Sequence, residues 1–125
     1  MDVFVYGTLL DPHQTAAVLG QYEYGPDATI EGLHQVEGEY PTLAPGGEVE
    51  GAIVRTPEME ALDRYEGVDD GLYVRVSVPR ADGGTVEAYV GDPDRLDVDV
   101  EWPGSGSFAE RVVQYVESEA VVRVE

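Results

Sequence analysis

Glu66 stands where an apolar helical pattern runs out at Gly67, and a carboxylate at such a place has two readings. It is either one more solvated surface acid, or a group that faces a cavity, where partial burial lifts its pKa toward neutrality and suits it to acid/base work. The turn Gly7-Thr8-Leu9, which breaks the opening apolar run, is the second feature able to do chemistry. Its main-chain N–H groups can converge on an anion, with the Thr8 hydroxyl as a further donor and Gly7 admitting a ligand close to the backbone; the same residues also make an ordinary strand-ending turn. Tyr73 reads either as a substrate-positioning hydroxyl or as a strand core residue. Tyr6, on the face opposite Val3 and Val5, lines a cavity or covers the core. Tyr40 is expected in a loop wall, and Arg75, two residues beyond Tyr73, is expected to pair with an acid.

The remaining constellations are weaker. Asp92, Asp94, Asp97, Asp99 and Glu101 form an acidic run, but the glycine and spacing of a calcium loop are missing, so no metal site is expected. His13 and His34 show no ligand spacing and read as surface or helix-start residues. The serines at 77, 105, 107 and 118 lack a Gly-x-Ser-x-Gly elbow. The Gly7 turn lacks the Gly-Lys-Ser/Thr ending of a nucleotide P-loop. With no cysteine in the chain, disulfides, thiolate catalysis and Cys-ligated zinc are excluded. No cofactor is expected.

The elements that must position these residues follow from periodicity and punctuation. Asp2 to Tyr6 reads as a strand. Asp11 as N-cap, Pro12 at the first helical position, Gln14 closing a capping box and the apolar Ala16, Val18 and Leu19 predict a short helix ending at Gly20. Strands are predicted over 28–36 and 48–55, with loops at 39–43 and 45–47 between them. Thr56 and Pro57 open a second helix, whose Met59, Leu62 and Tyr65 share an apolar face. The run 72–78, the Asp82-Gly83-Gly84 turn and the run 86–90 make a hairpin. Ser107 with Glu110 is a capping box for a terminal helix bearing Phe108, Val112, Tyr115 and Val116, before a last strand over 120–124. Strands and helices without strict alternation predict an α+β domain over residues 1–125, a small mixed β-barrel or curled sheet with two to three flanking helices and the site at its rim.

At 125 residues the chain is long enough for one proper core. Its 26 Asp and Glu against 7 basic residues, all of them arginine, give a formal charge of −19. The acids are spread along the whole sequence, which reads as a solvated surface adapted to concentrated salt rather than a docking patch for cationic partners. Too few cations exist to neutralise several phosphates, so nucleic acid is not an expected partner. No apolar run is long enough to span a bilayer, and the N-terminus opens in a strand-like run without a basic segment. A cytoplasmic monomer or small homo-oligomer is expected, with no membrane partner.

Three motifs in order, Val5-Tyr6-Gly7-Thr8-Leu9, Tyr40-Pro41, and Leu62-Asp63-Arg64-Tyr65-Glu66-Gly67 followed by Tyr73-Val74-Arg75, resemble the gamma-glutamylcyclotransferase-like family, including its AIG2-like and gamma-glutamylamine cyclotransferase branches. The resemblance runs from residue 3 to about residue 90 and fades beyond Asp92. It implies a cyclisation in which the α-amine of a γ-glutamyl amine or amino acid attacks its own γ-carbonyl, releasing 5-oxoproline and a free amine. In that reading Glu66 is base and then acid, and Tyr6, Gly7, Thr8, Leu9, Tyr40 and Tyr73 hold the γ-glutamyl substrate. The alternative the same resemblance leaves open is a ligand-binding or regulatory module that keeps the cavity without turnover.

Overall fold

In the computed structural model, residues 1–38 and 40–125 are described, Thr8 and Leu9 by their backbone alone. Alternation in the opening strand β1 (Asp2–Val5) sends Val3 and Val5 to one face of the sheet and Phe4 to the other, and both faces are buried. A strand apolar on both faces belongs in the middle of a sheet. β1 pairs antiparallel with β3 (Thr42–Arg55), Val3 opposite Val54, and parallel with β5 (Thr85–Gly91) at Val3 and Glu87. The remaining strands are β2 (Glu23–Val36), β4 (Tyr73–Pro79) and β6 (Val121–Val124), and the six form one mixed sheet in the order β4-β5-β1-β3-β2-β6. The sheet curls into a half-barrel whose two edges meet at one end. There Arg80 bridges to Val122, and the Ala81 N–H donates to the Val122 carbonyl at 2.9 Å.

Each face of the sheet carries its own core. Phe4, Ile30, Leu33, Leu43, Val76, Val78, Val86 and Val90 pack with Val112 and Val116 of the helix α4 (Phe108–Glu119). On the other face Val3, Val5, Val54, Tyr73 and Tyr89 pack with Leu19, Leu62 and Leu96, which come from the region of α1 (Pro12–Val18), from α2 (Met59–Tyr65) and from α3 (Pro93–Leu96). The capping box of α4 forms as expected: Ser107 Oγ accepts from the Glu110 N–H, and the Glu110 carboxylate accepts from the Ser107 N–H. The 73–91 hairpin also forms, in the register Tyr73 to Gly91.

Three local expectations are corrected, and one helix appears where none is predicted. Thr42 and Leu43 open β3 instead of ending a loop, and the segment 45–47 is not a loop either. It lies inside β3, where Gly46 and Gly47 take positive φ, the Gly46 N–H reaches the Tyr115 hydroxyl at 2.9 Å, and the pairing with β2 shifts register between Glu31 and Leu33. In α1 the Asp11 carboxylate accepts from the His13 N–H, one residue earlier than a capping box requires, and the buried positions are Thr15 and, just past the helix, Leu19, while Ala16 is exposed. α2 starts at Met59 rather than at Pro57; Thr56 is buried, its Oγ1 accepting from the Glu58 N–H and donating to the Gln21 carbonyl, and Tyr65 lies outside the buried face. The acidic run contains the short helix α3. Asp92 caps it by accepting from the Asp94 N–H, and Asp97 ends it in the left-handed region, so those two acids serve backbone geometry.

Candidate active site

α2 ends beside the sheet because Leu62 is buried against it and because Gly67, at φ 68°, turns the chain back so that the Leu72 N–H bonds the Gly67 carbonyl. Glu66 is the last residue before that turn, its own N–H still bonded to the Leu62 carbonyl at 2.9 Å. Its side chain enters a cavity of about 320 Å³, walled by Phe4, Val5 and Tyr6 of β1 and its extension, Tyr40 and Pro41, Tyr65, Leu72, Tyr73 and Tyr89. Carbon and tyrosine rings surround a carboxyl that is only partly exposed. Burial pushes its pKa up from the ordinary 4.5 to about 7.

The tyrosines of the wall are tied down by their own protons. The Tyr6 hydroxyl donates to the Tyr89 carbonyl at 2.6 Å, the Tyr73 hydroxyl to the Pro41 carbonyl at 2.5 Å, and the Tyr89 hydroxyl to Asp63 Oδ1 at 2.7 Å. Burial, first of all, raises the pKa of each, and the negative charge of Glu66 raises all three further. For Tyr6 the charge of Tyr73 also contributes, and a hydrogen bond with Thr42 opposes. All three wall the cavity that Glu66 enters, Tyr73 from β4, Tyr89 from β5 and Tyr6 just past the end of β1. With their protons committed to protein acceptors, these hydroxyls have only oxygen lone pairs left to offer.

Of the residues singled out from sequence, Glu66, Tyr6, Tyr40 and Tyr73 line this one cavity. Gly7 begins a single 3-10 turn, Gly7–Leu10, at φ 63°; a β-carbon there would lie 3.2 Å from Pro41, so the turn abuts the cavity wall. The side chains of Thr8 and Leu9, including the Thr8 hydroxyl, lie outside the described residues. Arg75 faces Asp63, Nη1 to Oδ2 at 3.5 Å, outside the lining. Nothing in the sequence marks Tyr65 or Tyr89 as lining residues. Helical spacing predicts Tyr65 on the apolar face of α2, although it adjoins Glu66. Tyr89 stands opposite Arg75 across the hairpin, and strand alternation alone puts it on the Tyr73 side of the sheet. Among the described residues no cluster of His, Cys, Asp or Glu has the geometry to hold a metal ion, and no helix is long and apolar enough to cross a membrane. A second hollow, lined by the exposed acids Asp27, Glu50 and Glu125, is larger at about 380 Å³ but holds no such convergence of shifted groups.

The sequence profile of the family "Gamma-glutamyl cyclotransferase, AIG2-like" matches residues 3–105. The chain belongs to that family. Among solved structures, a protein described as a gamma-glutamyl cyclotransferase superposes with a TM-score of 0.62 at 20% identity, over 74% of this chain and 66% of that one. A solution structure from Arabidopsis thaliana is 31% identical over 87% of this chain and 78% of its own, with a TM-score of 0.58. A crystal structure from Pyrococcus horikoshii covers 94% and 98% of the two chains at 19% identity and a TM-score of 0.59. The part matched in the gamma-glutamyl cyclotransferase is thus just under two thirds of that protein. No curated protein sequence matches the chain.

Proposed function

We propose that the chain is a cyclotransferase that converts a γ-glutamyl amine or amino acid into 5-oxoproline and a free amine, with Glu66 as general base and then general acid. The carrying observation is the Glu66 carboxyl in a tyrosine-walled cavity, its pKa raised by burial to about 7. A carboxylate at that value takes a proton from an ammonium and returns it to a departing nitrogen within the same neutral pH range.

The substrate's α-ammonium lies against the Tyr6 and Tyr73 oxygens and gives a proton to Glu66. The freed amine attacks the γ-carbonyl carbon, forming the ring C–N bond and a tetrahedral oxyanion. The original C–N bond then breaks with its electron pair on the nitrogen, Glu66 returns the first proton to it, and the second proton of the ring nitrogen passes by way of Glu66 to the same amine, which leaves as an ammonium. Atoms and charge balance with no further reactant. The oxyanion and the α-carboxylate are assigned to the main-chain N–H groups of Gly7, Thr8 and Leu9, donors suited to a chain without lysine. Tyr40 and Tyr65, both exposed, stand at the mouth, where the leaving group emerges. No arginine is present in the described lining, which favours a leaving amine without a carboxylate of its own.

The test is release of 5-oxoproline from a panel of γ-glutamyl compounds in molar KCl, with Glu66→Gln as control. Turnover by the parent and its loss by 100-fold or more in the variant is the expected result. Saturable binding of a γ-glutamyl ligand with no turnover would replace the enzyme by a binding module of the same fold.

A further inference from the structure

α2 is seven residues long, Glu58 at its N-cap position supplies no side-chain cap, and a helix so short does not hold its own orientation in water. Leu62 is its fully buried residue. Met59 and Ala61 pack partly buried beside it, so apolar contact fixes the start of the helix against the sheet. Asp63 supplies the second point, its Oδ1 accepting from the Tyr89 hydroxyl at 2.7 Å and its Oδ2 facing Arg75 Nη1 at 3.5 Å. Tyr89 and Arg75 are directly opposite each other on β5 and β4, so both partners come from one cross-strand pair of a paired hairpin. Glu66 follows Asp63 by three positions, on the adjoining part of the helix surface, so the angle that Asp63 fixes is the angle at which Glu66 leaves the helix.

We propose that Asp63 is a positioning residue for Glu66: clamped to the Tyr89–Arg75 pair, it aims the carboxylate into the cavity and keeps the Arg75 charge compensated. This rests on Glu66 as the acid/base. The titratable groups around Glu66 are Tyr6 just past β1, Tyr40, Tyr65 on α2, Tyr73 on β4 and Tyr89 on β5, and tyrosine hydroxyls are uncharged near pH 7. The remaining charges of this helix and the following turn, Glu60, Arg64, Asp69 and Asp70, are exposed. Asp63 and Arg75 form the ion pair that ties this helix to the hairpin beside the cavity. Replacing Asp63 by Asn removes one negative charge and leaves a guanidinium uncompensated, and both changes favour the ionised form of Glu66.

The experiment uses the full chain in molar KCl, with Asp63→Asn, Asp63→Asn/Arg75→Gln and Tyr89→Phe. Expected for Asp63→Asn is a kcat lower by roughly 10- to 100-fold with KM changed less than about threefold, the loss typical of a misaimed group. The acid limb of kcat/KM also moves down by about half a pH unit or more. Adding Arg75→Gln returns the limb toward its parental position without restoring kcat. Tyr89→Phe, which keeps the carbonyl that Tyr6 uses, loses kcat as well and carries the test if Asp63→Asn does not fold. A kcat within about twofold of the parent together with an unmoved limb would show Asp63 to be a structural contact only. Should the parent have no turnover, the cyclotransferase reading fails separately. The clamp is then read by carbon-13 titration of the Glu66 carboxyl, and a midpoint identical in parent and Asp63→Asn overturns it.

Discussion

Removing the charge from position 66 should stabilise the protein at the pH where it abolishes the proposed reaction. Burial raises the Glu66 pKa from 4.5 in open chain to about 7 in the fold, so between those values the folded state holds a proton that the unfolded state has released. A raised folded pKa gives stability that is complete below pH 4.5 and is lost as pH climbs through 7. Relative to low pH, this group makes the fold less stable by roughly 1 kcal/mol at pH 5, where only the unfolded chain is ionised, and by roughly 3 kcal/mol at pH 8, from 1.36 kcal/mol per pH unit. Glu66→Gln is neutral at both. Its stability relative to the parent should therefore rise by about 2 kcal/mol between pH 5 and pH 8, or roughly 6–10 °C in Tm for a chain of this size. Thermal melts of both proteins at the two pH values, in molar KCl to suppress the background of surface carboxylates, measure the difference directly. Equal Tm differences at pH 5 and pH 8 would mean that Glu66 titrates as a solvated acid, and the case for it as a base at neutral pH would go with it. If the group does titrate as described, kcat/KM of the parent should climb through pH 7 to a plateau.

Three further outcomes follow from particular contacts. Tyr73→Phe removes the donor to the Pro41 carbonyl, so it should cost about 1 kcal/mol and raise KM several-fold with a smaller effect on kcat, as steady-state kinetics and a urea melt will show. A β-carbon at Gly91 would sit 2.3 Å from Leu96 Cδ1 and 3.1 Å from both Thr42 Oγ1 and Tyr73 Cε2; Gly91→Ala should lose about 1–3 kcal/mol in chemical denaturation, and a neutral result would mean that the α3 contact gives way freely. With a formal charge of −19, the chain should melt at a higher temperature in molar KCl than at about 50 mM, and a Tm independent of salt would remove self-repulsion from the account of its stability.

What the sequence made legible was local. The Ser107 and Glu110 pair, the turn at 82–84 and the alternation around Val86 each specify structure within a few residues, and each forms. The long β2–β3 ribbon was hidden because Pro45-Gly46-Gly47 has the composition of a turn. What keeps it in β3 is distant, a Tyr115 hydroxyl from α4 that accepts from Gly46 and donates to the Gly32 carbonyl. The helix α3 was hidden in a run of acids because capping and solvation draw on the same residue types. Within the site, Glu66 could be found from a helix-stop signal joined to a family motif. Tyr65 and Tyr89 could not, since which tyrosine faces a hollow depends on how two helices and three strands meet.

That meeting also accounts for where the cavity lies and why its carboxyl is unusual. Phe4 and Tyr6 pack with the core on one face of the sheet, while Val5, Leu72, Tyr73 and Tyr89 pack with the core on the other, and all of them wall the same space. The cavity opens where β1 ends and the two cores part, a place where apolar side chains are already committed by folding. A carboxylate placed there is desolvated by groups that would be buried with or without it. Among the described lining residues none carries a positive charge to offset the loss of water. A lysine or arginine in that wall would pull Glu66 back toward an ordinary carboxylate, too weak a base for an ammonium. The aromatic, cation-free wall and the raised pKa are one physical arrangement, and the acid/base capacity of position 66 depends on both.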